Sequence, residues 1–314
     1  MKTLIIGAAG FVGGYLAKQL IGNGHQTEVT CLENEQFNAA DCKVHRLNIL
    51  DKESIKELFE EVKPDFIFHL AAQSSVSLSW KNPQLTTDIN VKGTLNVLDA
   101  MRESGIDKSA GILLIGSGEE YGHVREGACP ITEDEIPRPG NIYAATKACQ
   151  SMIGSIYARA YGMKIIMVRA FTHVGPGQLP IFVVSDFCKQ TAEIESGQRE
   201  AVIKVGNLSA KRDFTDVRDV VRAYELIAEK GKAGELYNVG SGHAVEISSI
   251  LEKIVGKSKS DIKVEVDSSK LRPVDVPIIE ADTTKIYGDT GWKPEITLEQ
   301  TIDDTLEYWR KRVN

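Results

Sequence analysis

Residues 7–13 read Gly-Ala-Ala-Gly-Phe-Val-Gly, and their surroundings decide most of what this chain can fold into. The apolar run Thr3-Leu4-Ile5-Ile6 stands directly before them, and a helical pattern over 12–22 stands directly after. A strand that turns this tightly into a helix brings backbone N–H groups and the helix N-terminus to one point, where a pyrophosphate can sit. Gly7, Gly10, Phe11, Val12 and Gly13 are therefore the first candidate binding residues. Glycine spacing by itself is only a turn; the strand before it and the helix after it give it meaning.

The same alternation continues down the chain. Lys2–Ile6, 28–32, 65–70, 111–115 and 164–169 read as strands, and 12–22, 51–62, 84–104 and 142–161 as helices between them. Pro64-Asp65 marks a helix-to-strand turn and Gly105 a helix stop. Strands alternating with helices predict an α/β fold, a doubly wound parallel sheet of the Rossmann kind, with ligands at the carboxyl ends of the strands. After Ala170 the pattern changes, although a helix over 217–230 and a strand Leu236–Val239 still suit the sheet. The expected division is a nucleotide-binding domain, 1–170 plus about 217–240. A smaller C-terminal α/β substrate lobe, about 171–216 and 241–314, would close a cleft over it.

Composition narrows the partners. A net charge of −7 over 314 residues argues against nucleic acid, which needs a basic surface. No apolar run approaches a signal-peptide core or a membrane span. Five scattered cysteines without Cys-x-x-Cys, and six histidines without paired spacing, point to a reducing cytoplasm and to no metal site.

Glu33 stands about twenty residues past Gly13, at the end of the second strand. A carboxylate there accepts hydrogen bonds from an adenosine ribose and repels a 2′-phosphate, which favours NAD(H) and leaves NADP(H) open. Asn48 and Ile49, behind a third strand, are placed at the adenine edge.

Tyr143-Ala-Ala-Thr-Lys147 is the sharpest signal for chemistry, because a spacing of four puts both side chains on one helix face. An ammonium ~4 Å from a phenol at an effective dielectric near 20 is worth roughly 4 kcal/mol, or about three pKa units. That would bring the hydroxyl within reach of neutral proton exchange. Ser117 ends a strand about 25 residues earlier, where its hydroxyl can polarise the same oxygen.

With Ser117 the chain resembles the extended short-chain dehydrogenases. The match runs through the glycine loop, His69-Leu70-Ala71-Ala72, Asn90-Val-Lys-Gly93-Thr94, Ser117, Tyr143-x-x-x-Lys147 and 212–219, Arg-Asp-Phe-Thr-Asp-Val-Arg-Asp. The resemblance implies that Leu70, Ala71 and Ala72 line the cofactor, that Lys147 also holds the nicotinamide ribose, and that Asn90 shapes the active-site helix. It implies a homodimer through a four-helix bundle built from the helices around 84–104 and 142–161.

Within that group the chain is most similar to GDP-mannose 4,6-dehydratases and GDP-4-keto-6-deoxy-mannose reductases. The supporting stretches are 71–76 with Ser75, Glu119-Glu-Tyr-Gly122, 173–178 and 204–208 with Asn207, and Arg272-Pro-Val-Asp275-Val. This implies a nucleotide-diphosphate sugar, with Arg212 and Arg272 on the diphosphate and Lys189, Asn207, Asp275 and Ser75 around it. Thr172 stands where the family has an asparagine touching the substrate. Glu119 occupies the place of the base that removes water in the dehydratases. Three departures favour a reductase: Gly118 replaces an acid, 31–35 read Cys-Leu-Glu-Asn-Glu instead of an arginine-rich loop, and the chain is short. The reading is reduction of a C4 ketone, with dehydration as the alternative.

Overall fold

The computed structural model describes residues 1–125, 127–270 and 276–313. In chain order the elements are β1 (Lys2–Ile6), α1 (Phe11–Gly22), β2 (Gln26–Cys31), β3 (Lys43–Arg46), α2 (Lys52–Val62), β4 (Phe66–His69), α3 (Val76–Lys81), α4 (Pro83–Thr87), α5 (Gly93–Glu103), β5 (Gly111–Ser117) and α6 (Ile142–Tyr161). There follow β6 (Lys164–Ala170), β7 (Thr172–Val174), α7 (Val183–Glu195), β8 (Val202–Val205), β9 (Lys211–Asp216), α8 (Val217–Lys230), β10 (Leu236–Val239), β11 (Ala244–Glu246), α9 (Ile247–Gly256), β12 (Lys263–Val266), β13 (Ile278–Ile279), α10 (Thr284–Thr290) and α11 (Leu298–Val313).

Among the described residues, seven strands form a parallel sheet in the order β10-β6-β5-β4-β1-β2-β3. Alternation along β1 shows why it is covered on both faces. Ile5 packs with Leu16, Leu20 and Tyr224 from α1 and α8, whereas Leu4 and Ile6 pack with Ile55, Phe59 and Val97 from α2 and α5. The sequence switches direction after β1, so the carboxyl ends of β1 and β4 part around a crevice. His25 and Glu225 (3.0 Å), joined by Gln19 and Asn23, fasten β2 and α1 to α8 on the rear of the sheet. Glu229 also brings a carboxylate oxygen to His25, at 3.6 Å.

The expected helix over 84–104 is helical throughout but not regular. Asn82 caps α4 by accepting from Leu85 N at 3.1 Å, Pro83 occupies its first turn, and residues Asp88–Lys92 widen into a π-type turn before α5. The extra residue turns Asn90 inward. Its amide oxygen accepts from Gln73 N (2.8 Å), and its amide nitrogen donates to Gln73 O (3.0 Å) and Thr146 Oγ1 (2.9 Å). π turns often mark working sites, and this one locks the loop after β4 to α6.

The remaining strands form small sheets, β11-β9-β13 with β7 on β9, and β12 beside β8. A separate apolar cluster, including Phe187, Ile203, Phe214, Ile254 and Leu306, lies among α7, α9 and α11. The 212–219 stretch ties these parts together. Asp213 accepts from Ser241 N, Gly242 N and Ala281 N, and Asp219 accepts from Glu295 N and Ile296 N. No helix among the described residues is long and apolar enough to cross a membrane.

Candidate active site

A cavity of about 620 Å³ runs along the carboxyl ends of the parallel strands, from the glycine loop to Thr172 and Phe182. Gly7 has φ +86°, and a Cβ there would lie 2.6 Å from Ala71 Cα. Gly13 lets α1 press on the loop after β1, because its Cβ would stand 2.3 Å from Ala8 O. Thr30 holds the loop from β2, accepting from Gly7 N at 3.1 Å. α1 has no side-chain cap among the described residues, so the N–H groups of its first turn face the cavity beside Gly10, Phe11 and Val12. A bare helix N-terminus behind a glycine loop fits a pyrophosphate. Asn48, Ile49, Leu70, Ala71 and Ala72 line the same cavity.

Glu33 is exposed and does not line the cavity; Glu35 does. After Cys31 the chain turns, so the acid two residues later is the one that comes back, with its carboxylate accepting from Leu32 N at 2.9 Å. Arg46 secures this turn, donating to Leu32 O at 2.8 Å and Glu35 O at 2.6 Å.

Ser117, Glu119, Tyr143 and Lys147 all line the far end of the cavity. Ser117 closes β5, and its Oγ accepts from Glu119 N at 3.2 Å. Asn141 caps α6 by accepting from Ala144 N at 2.8 Å, and it donates to Glu119 Oε2 at 3.1 Å. Lys147, 3% exposed, donates to Ile115 O at 2.7 Å and Gln150 Oε1 at 3.0 Å.

The electrostatics differ from the expectation drawn from spacing. Burial pushes the Tyr143 hydroxyl above its ordinary value, against the pull of the Ser117 hydroxyl, and the charges of Glu119 and Glu120 push the same way as burial. The Lys147 ammonium is turned to a β5 carbonyl and Gln150, so it does not hold the phenol down; burial instead brings Lys147 itself down to about 8. The free site therefore presents a protonated tyrosine and a lysine near its titration point.

The candidate substrate residues are scattered. Thr172 lines the cavity from β7. Ser75 stands at its edge, but its hydroxyl caps α3, accepting from Leu78 N at 3.2 Å, while Ser74 and Val76 face inward. Lys189 is paired with Glu193 one turn along α7, away from the cavity lining. Asn207 accepts from Ser209 N at 3.0 Å in a surface turn. Arg212 is 7% exposed and donates to Val276 O at 2.7 Å. Arg272 and Asp275 lie outside the described residues.

Contacts across the chain that shape the cavity, and Tyr224 in its lining, escaped the sequence reading. Phe11 stacks with His173 at 6.1 Å, and Tyr15 donates to Pro176 O at 2.7 Å, so the segment after β7 folds down on α1. Tyr224, fully buried, reaches the cavity from α8 with no hydroxyl partner among the described residues. Only proximity in space could reveal these, since each joins segments far apart in the chain.

Fold and site together define an NAD(P)-dependent enzyme of the epimerase/dehydratase class. Comparison with known proteins places it more closely. The family described as GDP-mannose 4,6 dehydratase matches residues 4–305. GDP-6-deoxy-D-mannose reductase of Pseudomonas aeruginosa is 35% identical over 269 residues, 86% of this chain and 88% of that protein. GDP-mannose 4,6-dehydratase of Vibrio cholerae is 27% identical, over 95% of this chain and 91% of that protein. The solved structure of RMD from Pseudomonas aeruginosa complexed with NADPH superposes with a TM-score of 0.88 at 32% identity, covering 99% of this chain and all of the other. The chain belongs to the GDP-mannose 4,6 dehydratase family of nucleotide-sugar-modifying enzymes.

Proposed function

We propose that this protein reduces the C4 ketone of GDP-4-keto-6-deoxy-D-mannose to GDP-D-rhamnose with NAD(P)H. The observation that carries the reading is that Ser117, Tyr143 and Lys147 gather at the end of a cavity that begins at a pyrophosphate loop. A reductase needs a proton donor at the ketone oxygen, whereas a dehydratase must first take a proton from the C4 hydroxyl. A bound nicotinamide supplies the hydride. Tyr143 gives its proton to the C4 oxygen, Ser117 polarises that oxygen, and Lys147 anchors the ribose and supplies positive charge beside the forming alkoxide. Similarity to the Pseudomonas reductase supports this choice.

Glu119 favours the second reading, a GDP-mannose 4,6-dehydratase, because its carboxylate lines the cavity and is aimed by Asn141. The deciding assay gives purified protein GDP-mannose alone, and the keto sugar with NADH or NADPH, following absorbance at 340 nm and the products. Consumption of reduced cofactor with the keto sugar, largely retained in Glu119→Gln, is expected. Conversion of GDP-mannose without net cofactor change, lost in Glu119→Gln, would make the enzyme the dehydratase. With Glu35 at the ribose end, NADH is the cofactor expected to be preferred.

We also propose a cytoplasmic homodimer joined through the helices over 84–104 and 142–161. All five cysteines are free, as in a reducing compartment. Met152 and Ile156, one turn apart on α6, are exposed beside Leu78, Trp80 and Leu85 of the neighbouring α3 and α4. Such a patch is covered in a stable dimer. Light scattering should give twice the 34.5 kDa chain mass; a single-chain mass at micromolar concentration would reject the dimer.

A further inference from the structure

Glu120 sits directly behind the site and does not line its cavity. It is fully buried, and its carboxylate accepts from Ser117 N (2.8 Å), Ser151 Oγ (3.0 Å) and Arg169 Nε (2.9 Å). Gly116 makes room for it, since a Cβ there would stand 2.3 Å from Glu120 Oε1. Arg169, itself 5% exposed, lies 4.4 Å over the ring of Tyr121, whose hydroxyl donates to Asn238 Oδ1 at 2.7 Å. A buried ion pair is a poor way to gain stability, because both ions lose hydration and a well-packed apolar pair does as well. What distinguishes this pair is its place. Glu120 grips the Ser117 peptide, and two residues back along the same strand end Lys147 grips the Ile115 carbonyl.

We propose that Glu120 is a positioning residue for this site: it fixes the Ser117 peptide and buries a negative charge behind the strand end that the Lys147 ammonium also grips, with Arg169 moderating that charge. The proposal rests on Ser117 and Lys147 being the working groups named above. Burial lowers Lys147, and Glu120 is the charge that works against it. The other titratable groups around α6 do not replace it. His69 on β4 is kept neutral by burial, Tyr143 holds its proton, and Glu119 is bound to Asn141 and faces the cavity. Lys81 on α3 and Asp88 and Lys92 in the π turn are exposed, and Asp99 on α5 is held by Tyr157.

The test reads Lys147 directly. Protein labelled with 13C at lysine Cε is titrated by NMR, with the Lys147 resonance assigned by its loss in Lys147→Met. In Glu120→Gln the Lys147 midpoint should move to lower pH, and in Arg169→Met to higher pH. The limb of kcat/KM set by Lys147 should follow each midpoint. A merely structural role would move both variants together or neither; either result in folded protein overturns the proposal. If a single variant fails to fold, Glu120→Leu/Arg169→Met removes both charges, and its midpoint should still fall, but by less than in Glu120→Gln. Midpoints that move as stated without any turnover of keto sugar would sink the functional reading and leave this one standing. Turnover with fixed midpoints would do the reverse.

Discussion

Replacing Tyr143 with Phe should leave a folded protein whose kcat is lower by about 10²- to 10⁴-fold, the usual worth of a positioned proton donor. The substitution removes one oxygen and keeps the ring in the cavity wall, so packing against the start of α6 survives. On the proposed reduction, what is lost is the proton that must reach the C4 oxygen as hydride arrives. Nothing nearby takes over easily. Ser117 keeps its hydroxyl, but an aliphatic hydroxyl is a weaker acid than a phenol, so it polarises the oxygen without giving up its proton. Lys147 is committed to Ile115 O and Gln150. Cofactor affinity, measured by fluorescence or thermal shift, should stay within a few-fold, because the glycine loop and Thr30 are untouched. Retention of more than a tenth of wild-type kcat would remove Tyr143 from the proton-donor role.

How much of this could be read from the chain depends on how far apart the interacting residues lie. β1 and β10 are legible to the residue, because each is a short apolar run between clear turns. The Ser117, Tyr143 and Lys147 constellation is legible because two local rules, a strand end and a helix spacing of four, converge on it. β3, with Lys43-Val-His-Arg46, has no apolar pattern and exists because it completes the edge of the sheet beside β2. The π turn is invisible because it follows from what Asn90 must reach across space. Glu33 and Glu35 differ by two positions in a turn whose path is set by Arg46, a residue on another strand. Glu119 and Glu120 are neighbours with opposite fates. A short helical turn after Ser117 sends the first to the cavity and buries the second against Arg169. In the region after Ala170, β13 lies beside β9 and β12 beside β8, pairings between distant segments that local patterns do not reveal.

Lys147 makes activity and stability run in opposite directions as the pH rises. On the proposed mechanism its ammonium is needed for turnover, and burial brings its titration down to about 8 in the free protein. Because kcat/KM reports the free enzyme, it should fall above about pH 8 as that charge is lost. Stability follows the opposite sign. The folded pKa lies below the ordinary 10.5 of an exposed lysine, so between about 8 and 10.5 the unfolded chain binds more protons than the folded one. In that window this residue's contribution to folding grows more favourable with pH. Below it the full penalty of burying the charge persists, about 3 kcal/mol from a shift of this size. Lys147→Met removes the charge, so it should abolish turnover and show no such window. Urea denaturation of both proteins at pH 7 and pH 10 tests this. Relative to Lys147→Met, the wild type should gain about 2 kcal/mol over that range, most of the penalty. A difference that stays constant between the two pH values would mean that Lys147 titrates normally and that its ammonium is solvated. The alkaline fall in activity would then have to come from another group.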